Sequence, residues 1–274
     1  MRGRQLLLAA SISLCWYQAA TAQNALLYDS FRSGPLNAAI WAPSHEVYKD
    51  QKAPVEDRVY YSPEAISVNN GLKLVLRQRT PADGQIGVPF RYVSGRIQSR
   101  QAYLYGNFQF SARLPAGRGL WPGLWLRTPL GSPLNGEIDV IEGHGSRPDV
   151  VQSTLHPWHD GNETHFFCAM LSVSAGRHDM PRSSCSPVWR PVQGAGDLST
   201  EFHKYSITWT PGKVTWLLDD VPYYVVTQEV PDQPMIIVMD LHLSAHWDGP
   251  ADASLHLPAT LEIDSVRVTG IERH

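Results

Sequence analysis

Charged side chains are scarce in this sequence. Asp, Glu, Lys and Arg make up 18% of the 274 residues, against roughly 25% in an average globular chain. Hydrophobic residues make up 43%, and this composition excludes intrinsic disorder and a long coiled coil. An excess of positive charge is also missing, because 23 basic residues face 26 acidic ones, a formal net charge of -3. A nucleic-acid partner is therefore not expected.

Long apolar runs are lacking beyond the first 22 residues. Residues 1–22 combine two arginines, a short apolar stretch and the small-residue end Ala20-Thr21-Ala22, the pattern of a secretory signal peptide. The alternative is a membrane anchor, but the apolar stretch is shorter than the ~20 residues that span a bilayer. We predict a signal peptide over 1–22, a single domain over 23–274, a secreted or periplasmic location, and no membrane contact after cleavage.

Cysteine is nearly absent. Of the three cysteines, Cys15 lies inside the predicted signal peptide, which leaves Cys168 and Cys185 in the mature chain. An even pair in an exported protein predicts a disulfide that closes one loop. Two unpaired buried thiols are the alternative, since spacing alone does not supply the geometry that a bridge requires.

Helical periodicity is missing as well, and short segments with alternate apolar residues take its place. Clear examples are residues 72–76, which follow the turn signal Asn69-Asn70-Gly71, and the segments 107–114 and 261–268. Many short strands separated by turns predict an all-β, antiparallel sandwich with a binding site on one concave face. The stretch 157–200, rich in Gly, Ser and Pro, is predicted to be a long surface excursion.

The most informative segment is the acidic hexapeptide Glu137-Ile138-Asp139-Val140-Ile141-Glu142. Its apolar residues indicate a strand, in which Glu137 and Asp139 point to the same face. Strict alternation would send Glu142 to the other face, but one extra residue in a β-bulge would restore it. The alternative is a solvated polar face of an edge strand.

Three carboxylates on one sheet face repel one another and raise at least one pKa, which does not help folding. Glycoside hydrolysis with retention uses such an arrangement, because it needs an ionised nucleophile and a protonated acid about 5–5.5 Å apart. Just upstream, Trp121 and Trp125 are candidates for stacking on sugar rings, with core packing as their alternative role.

Six blocks of sequence in the same order resemble glycoside hydrolase family 16. They are Ser94-Gly95-Arg96, residues 105–115, the Gly119–Trp125 stretch with the acidic hexapeptide, Thr154-Leu155-His156, residues 202–219 and residues 263–268. The extra residue between Asp139 and Glu142 resembles the bulged branch, which includes laminarinases. The resemblance spans nearly the whole chain after the predicted signal peptide.

This resemblance implies a jelly-roll sandwich of two curved antiparallel sheets, similar to concanavalin A, with a concave cleft for endo-cleavage of β-linked polysaccharide. It implies that Glu137 is the nucleophile, that Glu142 is the acid/base and that Asp139 assists them. It implies no cofactor for catalysis. The division of roles between the two glutamates comes from the family, because the hexapeptide is nearly symmetric about Asp139.

The resemblance also implies ligand contacts outside the acidic strand. Arg96, His156 and Trp247 match positions near the sugar, with a surface salt bridge and a core histidine as the alternatives for Arg96 and His156. Asp264 matches a position that in some members helps to hold a structural calcium. Where many glucan-cleaving members carry two glycines before the tryptophan, this chain has Ala245 and His246, which are expected to narrow that end of the groove or to change its edge.

The leading hypothesis is a monomeric, secreted retaining endo-β-glycosidase acting on β-1,3 or mixed β-1,3/1,4 glucan. A second hypothesis keeps the chemistry and changes the polymer to a galactan or a bacterial exopolysaccharide. A third is a non-catalytic carbohydrate-binding protein on the same scaffold, which the presence of both glutamates argues against.

Overall fold

The computed structural model describes residues 25–32, 34–48, 58–84, 87, 89–130, 136–159, 162–163, 165–174, 184–190 and 196–271. The predicted signal peptide lies outside these residues. Within them the chain is built almost entirely of short strands, as the alternating apolar pattern predicts. None of the described helices is long and apolar enough to cross a membrane.

The first ten strands are β1 (Ala25–Asp29), β2 (Trp41–Pro43), β3 (Glu46–Val47), β4 (Val59–Tyr61), β5 (Ile66–Val68), β6 (Leu72–Gln78), β7 (Tyr92–Ser94), β8 (Arg96–Tyr103), β9 (Gly106–Arg113) and β10 (Leu120–Arg127). The next ten are β11 (Gly136–Gly143), β12 (Val150–His159), β13 (Asn162–Glu163), β14 (Phe167–Ser172), β15 (Ser186–Trp189), β16 (His203–Thr210), β17 (Lys213–Leu218), β18 (Val221–Val226), β19 (Met235–Leu243) and β20 (Ala259–Thr269). The described helical segments are the α-helix α1 (Ala245–Asp248) and two short 3-10 helices, Pro63–Ala65 and Pro81–Asp83.

The strands form two sheets packed face to face, the sandwich that the strand pattern predicts and the jelly roll that the family resemblance implies. One sheet has the order β18-β17-β16-β9-β20-β6-β7-β4-β3, with β1 beside β20 and β5 beside β6. The other has the order β15-β14-β12-β11-β10-β19-β8-β2, with β13 beside β12. Two pairs, β4 with β7 and β14 with β15, are parallel. The sheets are therefore mixed rather than wholly antiparallel, and the acidic strand β11 lies near the middle of the second sheet.

Period-two alternation explains the core between the sheets. Strand β9 alternates buried and half-buried side chains along its length, so that Phe108 and Phe110 point inward and are fully buried. Trp209 on β16 and Trp216 on β17 are also fully buried. The large aromatic side chains of β9, β16 and β17 thus fill the core rather than line a binding surface.

The tight turn predicted at Asn69-Asn70-Gly71 has the required backbone, and so does a second tight turn later in the chain. Between β5 and β6, Asn70 and Gly71 have φ angles of 50° and 127°. Between β17 and β18, Asp219 and Asp220 have φ angles of 49° and 64°. Positive φ at two successive residues matches the right-handed twist of a hairpin, and Asn, Asp and Gly tolerate it better than other residues.

The prediction that residues 157–200 form a surface excursion is wrong for part of this stretch. Phe167–Ser172 forms β14 and pairs with β12 inside the second sheet, and Ala169 and Leu171 are fully buried there. The prediction missed this strand because it relied on the Gly, Ser and Pro residues on both sides. Turn-forming neighbours do not determine the structure of the apolar run between them.

Cys168 and Cys185 are joined in a disulfide with an S–S distance of 2.00 Å. The bridge lies in a small apolar cluster with Val150 and Met170, apart from the main core. It ties β14 to the segment that leads into β15.

Replacing both cysteines by alanine is expected to lower the free energy of unfolding by about 3 kcal/mol, since the bridge closes a loop of 17 residues in sequence separation. Urea denaturation of the double variant measures this change. Reduction of the unchanged protein should produce a similar loss, and an unaltered denaturation midpoint in both experiments would contradict the prediction.

Candidate active site

The acidic strand β11 contains the β-bulge that the sequence predicts. On the β12 side, Asp139 pairs with Thr154 and Glu142 pairs with Gln152, so that β11 has one more residue than its partner in this interval. The β10 side shows the same irregularity, with Asp139 and Ile141 opposite successive residues. The extra residue places Glu142 on the same face as Glu137 and Asp139. We call residues 139–142 the acidic bulge.

The three carboxylates line one open cleft on this sheet. Its lining residues are Tyr48, Tyr61, Arg96, Trp121, Gly123, Trp125, Glu137, Asp139, Glu142, Asp240 and His242. The cleft has a volume of about 150 Å3 and opens to solvent. Strands β8, β10, β11 and β19 supply most of these side chains because they are neighbours in the sheet.

Asp139 is the most buried of the three acids, at 3% exposed. Its Oδ2 lies 3.0 Å from Nε2 of His156, and the same nitrogen lies 3.9 Å from Oε1 of Glu137. His156 pairs directly with Glu137 across β12 and β11, which explains why its ring reaches both carboxylates. The imidazole therefore lies close to both negative charges.

Glu142 has a different environment. Its Oε1 accepts a hydrogen bond of 3.0 Å from Trp121 Nε1, and its Oε2 accepts one of 3.3 Å from the Thr154 hydroxyl. Burial and the charge of Asp139 raise the pKa of Glu142 well above its ordinary value. Glu142 thus keeps its proton at a pH at which an exposed glutamate is ionised.

Next to the acids, the cleft floor contains a polar cluster built from β4, β8 and β19. Asp240 Oδ2 lies 3.6 Å from Arg96 Nε and 3.5 Å from the Tyr61 hydroxyl. That hydroxyl is also 3.2 Å from Nδ1 of His242. Burial raises the pKa of Asp240 to about 6 in spite of the opposing charge of Arg96. Burial, together with the Arg96 charge, lowers the pKa of His242 to about 3, so this imidazole is neutral near pH 7.

The tryptophans in and beside the cleft pack against other aromatic rings and against an arginine side chain. The Trp121 and Trp247 rings stack at 4.7 Å between centroids, and the His144 ring stacks on Trp247 at 4.8 Å. The Arg96 guanidinium lies 5.3 Å from the Trp125 ring. Trp121 and Trp125 line the cleft, whereas Trp247 supports Trp121 from the side and is not among the lining residues.

Two predicted positions lie elsewhere. His246 is exposed on α1 and does not line the cleft. Narrowing of the cleft by His246 is therefore wrong, because the helix turns this side chain toward solvent, and a changed edge of the groove stays a prediction. Asp264 lies on β20 in the opposite sheet, where its carboxylate accepts a hydrogen bond from the Arg32 guanidinium. Asp264 is thus remote from the acidic bulge.

One group of side chains in the described residues has spacing suited to a metal ion. Ligand atoms of Glu137, Asp139 and His156 lie within 4.8 Å of one another. These are the acids of the cleft and their imidazole neighbour, and the same arrangement suits proton transfer and nucleophilic attack on a sugar.

Sequence reasoning missed several lining residues. Asp240 and His242 are two apart on β19 and so share a face, a signal that was available without the structure. Tyr48 and Tyr61 carry no such signal, because they come from chain segments far from the acidic strand. Arg127, which does not line the cleft, was also missed: it pairs with Glu137 across β10 and β11, and its charge interacts with that carboxylate.

Comparison with known proteins identifies the family of this chain. The sequence profile of glycosyl hydrolases family 16 matches residues 55–264. A beta-glucanase of Rhodothermus marinus is 32% identical over 226 residues, which cover 75% of this chain and 70% of that protein. The solved structure of the laminarinase from Rhodothermus marinus is 27% identical with a TM-score of 0.69, covering 91% of this chain and 98% of that one.

The laminarinase catalytic domain of Thermotoga maritima has a TM-score of 0.74 at 23% identity, with coverage of 91% of this chain and 98% of that one. At this identity the likeness supports the jelly-roll fold and nothing finer. The profile match, by contrast, covers most of the chain and includes every residue of the acidic bulge. This chain therefore belongs to glycosyl hydrolases family 16 and is a glycoside hydrolase.

Proposed function

We propose that the protein is a secreted, retaining endo-β-glycosidase that hydrolyses β-1,3 or mixed β-1,3/1,4 glucan by double displacement. The observation that carries the mechanism is the contrast between two glutamates on one strand. Glu142 is held protonated by burial and by Asp139, while Glu137 is about one-third exposed beside the cation of Arg127. A retaining glycosidase uses one protonated and one ionised carboxyl group, and we assign the ionised role to Glu137.

In the first step, Glu142 donates its proton to the oxygen of the glycosidic bond as that bond breaks. A carboxylate oxygen of Glu137 attacks the anomeric carbon and forms a covalent glycosyl ester. In the second step, Glu142 removes a proton from water, which attacks the same carbon and releases Glu137. The chemistry passes between two carboxyl groups and water, and it needs no cofactor.

Asp139 and His156 support this cycle without forming a covalent bond to the sugar. The Asp139 charge helps to keep the proton on Glu142. Its hydrogen-bonding distance to His156 keeps the buried carboxylate in place between the two glutamates. Arg96, Trp121 and Trp125 line the adjacent floor and wall, where hydroxyl and stacking contacts to a sugar would form.

The choice of a glucan rests on similarity to the beta-glucanase and laminarinase of Rhodothermus marinus. The experiment is a screen of laminarin, mixed-linkage glucan, agarose and bacterial exopolysaccharide for new reducing ends, with Glu137→Ala as the blank. Laminarin or mixed-linkage glucan should be cleaved fastest. Proton NMR of the first product should show the β-anomer before mutarotation.

Cleavage of agarose or exopolysaccharide alone would replace the substrate assignment by the second hypothesis. Binding without new reducing ends on every polymer would favour the third, a carbohydrate-binding protein. The signal pattern of residues 1–22 supports secretion or a periplasmic location. Cleavage before residue 23, read by N-terminal sequencing of the exported protein, tests it.

A structural calcium at Asp264 does not fit the residues found there. The Asp264 carboxylate accepts a hydrogen bond from the Arg32 guanidinium, so it already has a cationic partner. We propose that this ion pair takes the place of the metal. The carboxylate of Asp264 is one-third exposed, and one such ligand falls far short of the six to eight oxygens that calcium takes.

A chelator is therefore expected to change neither the melting temperature nor the rate of hydrolysis. Thermal unfolding and reducing-end assays with EDTA and with added calcium measure this. A melting temperature that falls with EDTA and recovers with calcium would contradict the proposed ion pair. Arg32→Ala is the matched variant, because it removes the cation that pairs with the Asp264 carboxylate.

A further inference from the structure

The acidic bulge carries two carbonyl groups that accept hydrogen bonds from side chains. The Asp139 carbonyl accepts one of 2.8 Å from Trp216 Nε1, and the Val140 carbonyl accepts one of 2.8 Å from the Ser153 hydroxyl. A bulge interrupts the regular ladder and leaves backbone groups in need of other partners. These two side chains provide them.

Trp216 reaches the bulge from the opposite sheet. It lies on β17, is fully buried, and packs against Tyr224 with ring centroids 5.2 Å apart. Its indole therefore crosses the core to donate to the backbone directly behind the Asp139 side chain. A buried indole N–H without a partner is costly, so this hydrogen bond also favours one position of the bulge.

Ser153 is part of a chain of two hydroxyl groups. Its oxygen lies 2.6 Å from the Tyr223 hydroxyl. Since the single serine proton is directed to the Val140 carbonyl, Tyr223 donates to Ser153. Ser153 is fully buried, and its bond with Tyr223 ties strand β12 of the second sheet to β18 of the first.

A second bulge makes this arrangement possible. Trp216 pairs with Tyr224 and Leu217 pairs with Pro222, which leaves Tyr223 as an extra residue in β18. In a regular strand, adjacent side chains point to opposite faces. With the extra residue, both Tyr223 and Tyr224 pack against the same core, one bonded to Ser153 and the other supporting Trp216.

We propose that Trp216 and the Ser153–Tyr223 pair are positioning residues that hold the acidic bulge and thereby set the spacing of Glu142 from Asp139 and Glu137. The inference rests on the proposed roles of the two glutamates. None of the three residues lines the cleft. They act through two backbone carbonyls on the far side of the strand, and small displacements there move the carboxylates on the cleft side.

The first test compares Trp216→Phe with Trp209→Phe. Both tryptophans are fully buried on neighbouring strands, and Trp209 Nε1 also donates to a backbone carbonyl, that of Pro231, at 3.0 Å. The two variants lose the same N–H and the same volume. We expect kcat on the best substrate to fall about 10- to 100-fold in Trp216→Phe with KM within twofold, and to stay within threefold in Trp209→Phe.

The second readout is the pH profile. If the bulge relaxes, Glu142 moves away from Asp139 and gains solvent, so its pKa falls and the basic limb of kcat/KM shifts to lower pH. Trp209→Phe should leave that limb unchanged. Ser153→Ala and Tyr223→Phe should shift it in the same direction, with Ser99→Ala as the control for a buried serine bonded to backbone.

Equal losses of kcat in both tryptophan variants with unshifted pH profiles would overturn the proposal, and so would an unaltered kcat in Trp216→Phe. If Trp216→Phe does not fold, the Ser153 and Tyr223 variants decide the outcome. Carbon-13 NMR titration of the Glu142 carboxyl needs no turnover. A shifted pKa of Glu142 in Trp216→Phe would support the positioning role whatever the identity of the nucleophile. If Glu137→Ala were fully active at the same time, the proposed nucleophile would be refuted and the positioning role would stand.

Discussion

Replacement of Glu137 by alanine is expected to abolish hydrolysis, lowering turnover by on the order of 10⁴-fold or more. Without this carboxylate no glycosyl ester forms, and water is not held at the same face of the sugar. Binding of the polysaccharide should persist, because the cleft floor and the tryptophan wall stay in place. Reducing-end assays and a binding isotherm on the same polymer measure the two effects separately.

Two further measurements make this prediction specific. Glu64→Ala removes an exposed glutamate that does not line the cleft and should leave activity unchanged. Azide is small enough to enter the space that Glu137 vacates, and with an activated aryl glycoside it should restore turnover and give an α-glycosyl azide. Normal hydrolysis by Glu137→Ala would refute the assignment of the nucleophile.

Replacement of Glu142 by glutamine is expected to lower turnover of polysaccharide by roughly 10²- to 10⁴-fold, the usual contribution of a general acid. The glutamine keeps the shape of the side chain and an acceptor for Trp121 Nε1, but it has no acidic proton. An aryl glycoside with a good leaving group needs no protonation, so formation of the glycosyl ester from it should be nearly unaffected. A burst of aryl alcohol followed by slow turnover is the expected signature.

The pH dependence follows from the raised pKa of Glu142. The acid works while it is protonated, so activity of the unchanged enzyme should fall as the pH rises through this pKa. That basic limb should be absent in Glu142→Gln. A glutamine variant that retains the limb and the full rate on polysaccharide would assign the acid to another residue.

Stability supplies an independent check on the same variant. The folded protein holds the Glu142 proton more tightly than the unfolded chain does, so ionisation opposes folding. This penalty begins above the ordinary pKa of a glutamate and grows as the pH approaches the raised value. Glu142→Gln should therefore melt at the same or a higher temperature at pH 7, which separates loss of the acid from loss of the fold.

The acidic hexapeptide shows how much of the site a local sequence pattern can predict. Its apolar residues predict a strand, and the odd spacing of Glu142 predicts a bulge, because a strand has a period of two and three acids on one face need an extra residue. The structure contains that bulge between Asp139 and Glu142. The hexapeptide does not contain the side chains that hold the bulge, since Ser153 and Trp216 follow it by 11 or more residues.

The cleft floor illustrates the opposite case. Tyr61 is 179 residues from Asp240 in sequence, yet the two share one polar cluster with Arg96. No local pattern indicates that these segments meet. The prediction that His246 narrows the groove failed for the same reason, because the direction of α1 depends on its packing against β10 and not on its own sequence.

By itself the sequence determined the strand-rich architecture, the tight turns and the presence of three acids on one strand, because side-chain alternation and turn geometry are properties of neighbouring residues. Tertiary structure alone decided which acid is buried, which partners shift the pKa of Glu142, and that two bulges in opposite sheets meet through Trp216 and Ser153. Those properties depend on which distant strands lie side by side and which side chains cross the core, and both are set by the packing of the whole sandwich.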